Sequence, residues 1–207
     1  MQETRDIMTR PHDTRRGRDG FTLIETMVVV AVIGLFTAIA VPNLQGWNDR
    51  ARIRRGTQDV AGVLQLARLK AVQGSADVYV DFGLGAGPSD RFVTAFRDAD
   101  GDGNYDSGEE LDDDIPMPAA LGSRAGVRLP QGVFFGPAAG VTTDASGAAI
   151  PADGVDFSGQ NRVRFRRNGT ADAGAVFVMN GRGHQYAVEV GAAGSIRTRR
   201  RAGGAWK

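Results

Sequence analysis

From Phe21 to Pro42 the chain is apolar except at a few small or hydroxylated positions and at one carboxylate, Glu25, and no other feature restricts the fold as much. The run is long enough to cross a bilayer as a helix, and an ionised side chain inside such a helix costs roughly 2.5 to 3.5 kcal/mol even on lenient insertion scales. A cost of that size calls for a partner. Cleavage between Gly20 and Phe21 supplies one, because the new α-amine is mostly cationic near neutral pH and Glu25 lies one helical turn along from it. Helix geometry points that amine along the axis, where the carboxylate of a neighbouring subunit staggered by a turn reaches it better than Glu25 of the same chain. The pair then acts as an assembly device.

Two plainer readings compete. A simple membrane anchor is also apolar, but it has no use for Glu25 and no reason to begin abruptly after a glycine. A secretory signal suits the basic residues before the run and the small-residue site Ala38-Ile39-Ala40, but Glu25 would then lie in its apolar core. The stretch Gly20-Phe21-Thr22-Leu23-Ile24-Glu25, behind a charged leader and ahead of an apolar helix, resembles the signal of type IV prepilins and pseudopilins. That resemblance implies a dedicated prepilin peptidase that cuts after Gly20 and methylates the new N-terminus at Phe21. It also implies a single-pass inner-membrane protein with a periplasmic head, later assembled with other pilins or pseudopilins into a helical filament.

The formal net charge is +1, and the leader through Gly20 holds five arginines against four acids, so the remainder is balanced. Bulk charge therefore names no partner. Cysteine is absent, so no disulfide can staple the fold, although many major pilins close a C-terminal loop that way. Roughly 160 residues follow the apolar run, enough for one domain with its own core.

After Pro42 the pattern turns amphipathic. Ile53, Val60, Val63, Leu64, Ala67 and Ala71 recur at helical spacing among Arg52, Arg54, Arg55, Gln58, Asp59, Arg68 and Lys70. One helix is expected across both halves, bent or locally unwound between Gly34 and Pro42 and closed at Gly74 with Ser75. Strands are expected over 77–82, 91–97, 126–129, 162–166, 175–179, 185–190 and 195–199, with 136–154 left as a loop. The organisation is a cleaved leader at 1–20, a transmembrane and assembly helix at 21–42, its amphipathic continuation at 43–75 and a β-rich head at 76–207. This is an α+β, pilin-like class in which a long N-terminal helix packs on antiparallel β-sheet. Such a chain looks like the FimT/GspH group of minor pilins and pseudopilins, and Val163 to Gly183, with Asn168-Gly169 and Asn180-Gly181-Arg182-Gly183, resembles its C-terminal strands.

The segment Asp98 to Glu109 places oxygen donors at the spacing of a calcium loop. Asp98, Asp100, Asp102, Asn104, Asp106 and Glu109 fill the ligand positions and Gly103 permits the sharp turn, although the flanking helices of the helix-loop-helix motif are missing. The alternative is a hydrated acidic turn. Nine acids between Asp98 and Asp114 without a cation favour a structural calcium ion.

From Arg162 to Lys207 the balance is net +8, ending in Arg197-Thr198-Arg199-Arg200-Arg201 near Trp206. Some members of the FimT group serve DNA uptake through basic C-terminal residues, so the resemblance implies Arg197, Arg199, Arg200 and Arg201 as a DNA contact. The competing reading is a solvated face that pairs with the acidic loop of the next subunit. Catalysis has little to build on. His184 is the single histidine after the leader, better suited to a structural role than to a ligand's, and Gly83 to Gly87 lacks the strand-turn-helix context of a nucleotide site. No enzyme is expected, and no cofactor beyond the calcium. The expected function is that of a minor subunit of a type IV pilus or a type II secretion pseudopilus.

Overall fold

The computed structural model describes residues 20–83, 91–106, 108, 109, 111 and 125–207. The leader up to residue 19, residues 84–87 of the glycine-rich turn and the acids at 110 and 112–114 lie outside the described residues. The chain divides into two compact units, Met1–Leu44 and Gln45–Lys207.

One helix, α1 (Leu23–Gly74), runs for 52 residues. The expected unwinding before Pro42 is not there, since the backbone stays helical throughout. Proline removes a single N–H donor, and the neighbouring helical hydrogen bonds carry the turn. In the first unit the described side chains of the helix beyond Thr26 are almost wholly apolar, with Leu35 65% and Phe36 69% exposed. Its hydroxyls are satisfied internally: Thr26 donates to the Leu23 carbonyl at 2.8 Å and Thr37 to that of Ile33 at 2.7 Å. That leaves an outer surface with almost no polar demand. Among the described residues no helix is long and apolar enough to cross a membrane.

In the second unit one stripe of α1 is buried: Ile53, Val60, Leu64, Ala67 and Ala71 are inaccessible to solvent. Gly56 lets that stripe approach closely, because a Cβ there would meet Pro130 at 2.9 Å and Val133 at 3.3 Å. The helix closes at Ser75, which takes the left-handed conformation (φ 51°) that was expected of Gly74.

Ten strands follow. The first sheet has the order β3 (Ala125–Arg128), β2 (Phe92–Asp98), β1 (Asp77–Phe82), β6 (Arg162–Phe165). The second runs β10 (Ala205–Trp206), β9 (Ile196–Ala202), β8 (Gln185–Val190), β7 (Gly174–Asn180), β4 (Val133–Phe135), and β5 (Val155–Asp156) also pairs with β7. Every pairing is antiparallel. Strand alternation turns Val78, Val80 and Phe82 of β1, Val163 and Phe165 of β6, Val176 and Val178 of β7 and Val188 and Val190 of β8 into one core with the helical stripe. The class is α+β, a long helix with antiparallel sheet, as the sequence led one to expect.

Three strands were not anticipated. β4 is three residues long and β5 and β10 two each, too short for period-two patterning to register. β10 returns on β9 through Gly203-Gly204, both at positive φ (62° and 82°), so β9 extends to Ala202 rather than stopping at Arg199. The 136–154 segment is a loop with one isolated bridge, Thr143 to Ala149. Buried Gln185 holds it in place: its amide accepts from the Ala138 N–H and donates to the Gly136 carbonyl.

The outer face of the first sheet is a charge ladder. Arg162 stands opposite Asp81 and pairs with it at 2.8 Å, and Arg164 pairs with Asp77. Burial alone would raise the Asp77 carboxyl, but hydrogen bonds from Arg164 and from the Arg167 N–H hold it below the usual carboxylate range. A depressed carboxyl stabilises the fold above its unfolded value and loses that contribution as pH falls through its folded value. Asp77→Asn is therefore expected to lower stability at neutral pH by about 1 to 2 kcal/mol and to flatten the acid limb of a stability-versus-pH curve below about pH 4. Ser75→Gly is expected to raise stability by about 1 kcal/mol in denaturant unfolding, because glycine adopts the left-handed conformation without a Cβ penalty.

Candidate functional site

The bond between Gly20 and Phe21 precedes the first helical residue, Leu23, in backbone that is not helical. Thr22 caps the helix: its Oγ1 accepts from the Glu25 N–H at 3.3 Å, and its carbonyl accepts from the Thr26 N–H at 3.2 Å. Thr22-x-x-Glu25 is the pattern of a capping box, and Glu25 lies in the first turn, where the helix dipole favours an anion. Glu25 thus has a local stabilising role that sequence reasoning missed, although the capping-box spacing was there to be read. It is also exposed, together with Leu23, Ile24 and Met27, and so is available to a partner.

The acidic loop is clamped at both ends. Asp98 is the last residue of β2 and is buried, and the Arg97 N–H donates to the Glu109 carbonyl at 2.9 Å. The buried Glu109 carboxylate accepts from the N–H groups of Ala99 (2.7 Å) and Asp106 (3.0 Å). Between the clamps, Asp98, Asp100 and Asp102 accept in turn from the N–H groups of Gly101, Asp102 and Asn104. Gly103, at φ 76°, makes the sharp bend, and its carbonyl accepts from Arg162. One carboxylate oxygen from each of Asp98, Asp100 and Asp102 lies within 4.8 Å of the others. Restricted solvation, then the charges of Asp102, Asp100 and Glu109, raise the Asp106 carboxyl, so four of the six expected ligands share one electrostatic neighbourhood. Asn104 hydrogen bonds hold the Asp102 carboxyl low.

The basic C-terminal stretch is not a free cationic strip. Counting charge along the chain missed acids that the fold delivers from elsewhere, since Arg162 pairs with Asp81, Arg164 with Asp77 and Arg182 with Asp49, while the two acids of the stretch itself pair as Asp172 with Arg166 and Glu189 with Arg199. Arg197 stands opposite Glu189 in the register, Arg201 donates to the Gly204 carbonyl, and the Arg200 backbone pairs with Lys207. Half of the ten cations from Arg162 to Lys207 are therefore engaged by carboxylates, and the DNA reading of Arg197, Arg199, Arg200 and Arg201 gains no support. His184 takes a structural place. Its Nε2 lies 3.3 Å from the Arg50 Nε–H, which can only donate, and its Nδ1 lies 3.2 Å from Asn180 Oδ1.

Residues 56–194 match the family described as type II transport protein GspH, and residues 15–41 match the prokaryotic N-terminal methylation motif. The chain belongs to the GspH family. Its methylation motif spans Gly20, Phe21 and Glu25, and the family match takes in the acidic loop but ends ahead of β9 and its arginines. Sequence relatives of this GspH-family chain match it over short stretches. It is 37% identical over 59 residues to a fimbrial protein of Pseudomonas aeruginosa, covering 28% of this chain and 38% of that one. It is 32% identical over 71 residues to type II secretion system core protein G of Vibrio cholerae, covering 34% and 49%. It is 53% identical over 36 residues to the type IV major fimbrial protein FimA of Dichelobacter nodosus, covering 17% and 23%. The chain thus spans less than half the length of these curated relatives. Among solved structures, the minor pseudopilin EpsH from the type 2 secretion system of Vibrio cholerae aligns over 71% of this chain and 95% of its own, at 13% identity and a TM-score of 0.44.

Proposed function

We propose that this GspH-family chain is a minor pseudopilin or minor pilin, a structural subunit of a type II secretion pseudopilus or a type IV pilus. The observation that carries this reading is the coincidence of a methylation motif with a helix start whose Glu25 is capped, exposed and followed by apolar side chains on every face. In this reading prepilin peptidase cuts between Gly20 and Phe21 and methylates Phe21. The apolar helix first holds the chain in the inner membrane, with residues beyond it on the periplasmic side, and then buries itself among the helices of other pilins. Membrane and filament are equivalent solvents for such a surface, since neither offers water to an apolar side chain. Glu25 sets the register by pairing with the amine of a neighbouring Phe21, an interaction that water exclusion strengthens. Glu25→Ala is expected to leave cleavage intact and to reduce recovery of the subunit in sheared filaments at least tenfold; wild-type recovery contradicts the register role.

A second reading concerns the acidic loop, for which we propose a structural calcium ion held by Asp98, Asp100, Asp102, Asn104, Asp106 and Glu109. Calcium–oxygen distances of about 2.3 to 2.6 Å allow two ligands to lie up to about 5 Å apart across the ion, and the 4.8 Å cluster fits within that. The Glu109 carboxylate keeps acceptor capacity beyond the two N–H bonds it accepts, because a carboxylate has about four lone-pair sites. The ion would relieve the repulsion that raises Asp106 and order the loop. Calcium is expected to raise the melting temperature and to protect the loop from proteolysis, with both effects lost in Asp100→Asn/Asp102→Asn. Equal melting and cleavage in calcium and in a chelator contradict the site.

A further inference from the structure

Beyond the buried stripe, the second unit presents an unusual surface early in its helix. Trp47 is 71% exposed, and Arg50 and Arg54 are also exposed. Spacings of three and seven residues put all three on one face of α1. Arg54 has no ion-pair partner among the described residues, and Arg50 is engaged through its Nε by His184. Asp49, the nearest acid in sequence, is already paired with Arg182. Trp47 follows Pro42, the end of the apolar run, by five residues.

An indole has an apolar body and one N–H donor, which suits it to the boundary between hydrocarbon and water. Guanidinium groups donate in a fork that matches a phosphate, and their aliphatic stems can lie along apolar surface while the charge stays hydrated. An exposed tryptophan that shares a helical face with two arginines, five residues along the sequence from an apolar run, is the pattern of a side-chain girdle at a membrane surface. We propose that Trp47, Arg50 and Arg54 form an interfacial patch that binds the headgroups of anionic phospholipids before the subunit is assembled. This rests on the reading that the Phe21 to Pro42 run enters the bilayer, and it adds a lipid class and three residues to it. The lipid assignment is favoured over an acidic protein face by continuity with the apolar run and by the aromatic girdle residue.

The chain has no cysteine, so single labelling sites can be introduced without removing any. The full chain carrying Trp206→Phe, with Trp47 as its remaining tryptophan, is reconstituted into nanodiscs of phosphatidylcholine alone or mixed with phosphatidylglycerol. Spin labels on the lipid headgroup or deep in the acyl chain quench Trp47, and a fluorophore at Val30→Cys reports separately on the depth of the apolar run. The expected result is a deep Val30 label, with Trp47 quenched best by the headgroup label and more strongly when phosphatidylglycerol is present. That lipid dependence should disappear in Arg50→Gln/Arg54→Gln and in high salt. A deep Val30 label with Trp47 quenched only from the aqueous phase overturns the patch and leaves the membrane reading standing. A Val30 label outside the bilayer overturns both. Shielding of Trp47 that appears only when other pseudopilins are present overturns the lipid assignment in favour of a protein contact.

Discussion

The burial of one helical stripe, Ile53 to Ala71, against the inward faces of two antiparallel sheets is the interaction on which the second unit depends. No disulfide is available, so this apolar contact must offset the chain entropy of ordering a glycine-rich chain. The strand residues that share the core with the stripe come from both sheets, including β1, β2 and β6 of the first and β4, β7 and β8 of the second. Gly56 shows how tight the contact is, since even a methyl group there would press on Pro130 and Val133. With the apolar side fixed, the polar side chains of the same strands are necessarily presented outward, and the charge ladder of Asp77, Asp81, Arg162 and Arg164 follows from alternation.

That ladder also positions the acidic loop. Arg162 holds Asp81 with one edge of its guanidinium and the Gly103 carbonyl with another nitrogen, which ties the loop to the sheet without occupying its carboxylates. The loop therefore has a defined backbone and free oxygen lone pairs together, the condition a cation ligand set requires. Part of the positive charge that looks unopposed along the sequence is paired in place, as Arg164 with Asp77 and Arg199 with Glu189 show.

Long, strongly patterned elements were legible in the sequence. The helix registered through its period, and β1 and β8 were delimited to the residue because Val78, Val80 and Phe82, and Val188 with Val190, carry the inward positions. Short strands were not legible, since β4, β5 and β10 exist by pairing with a longer neighbour and not by their own preference. Gly203-Gly204 was the one local signal for β10. Helix closure fell on Ser75 rather than Gly74, a difference of one residue that local sequence does not decide. Of the candidate sites, the Gly20, Phe21 and Glu25 motif could be read whole because its chemistry is contiguous. The fate of the C-terminal arginines could not, because their partners Asp49, Asp77 and Asp81 lie roughly 80 to 130 residues away in sequence.

Glu25 can sit in the first turn, where the helix dipole favours its charge, and also pair with a neighbour's amine, because a carboxylate accepts several hydrogen bonds. The pairing needs a new N-terminus just ahead of the helix. The most direct test is therefore the intact mass and N-terminal sequence of the protein isolated from the membranes of cells that express it. The account predicts a chain that begins at Phe21 and carries one extra methyl group on its α-amine. A chain that begins at Val41, after Ala38-Ile39-Ala40, or one that retains the leader with its five arginines, would contradict it.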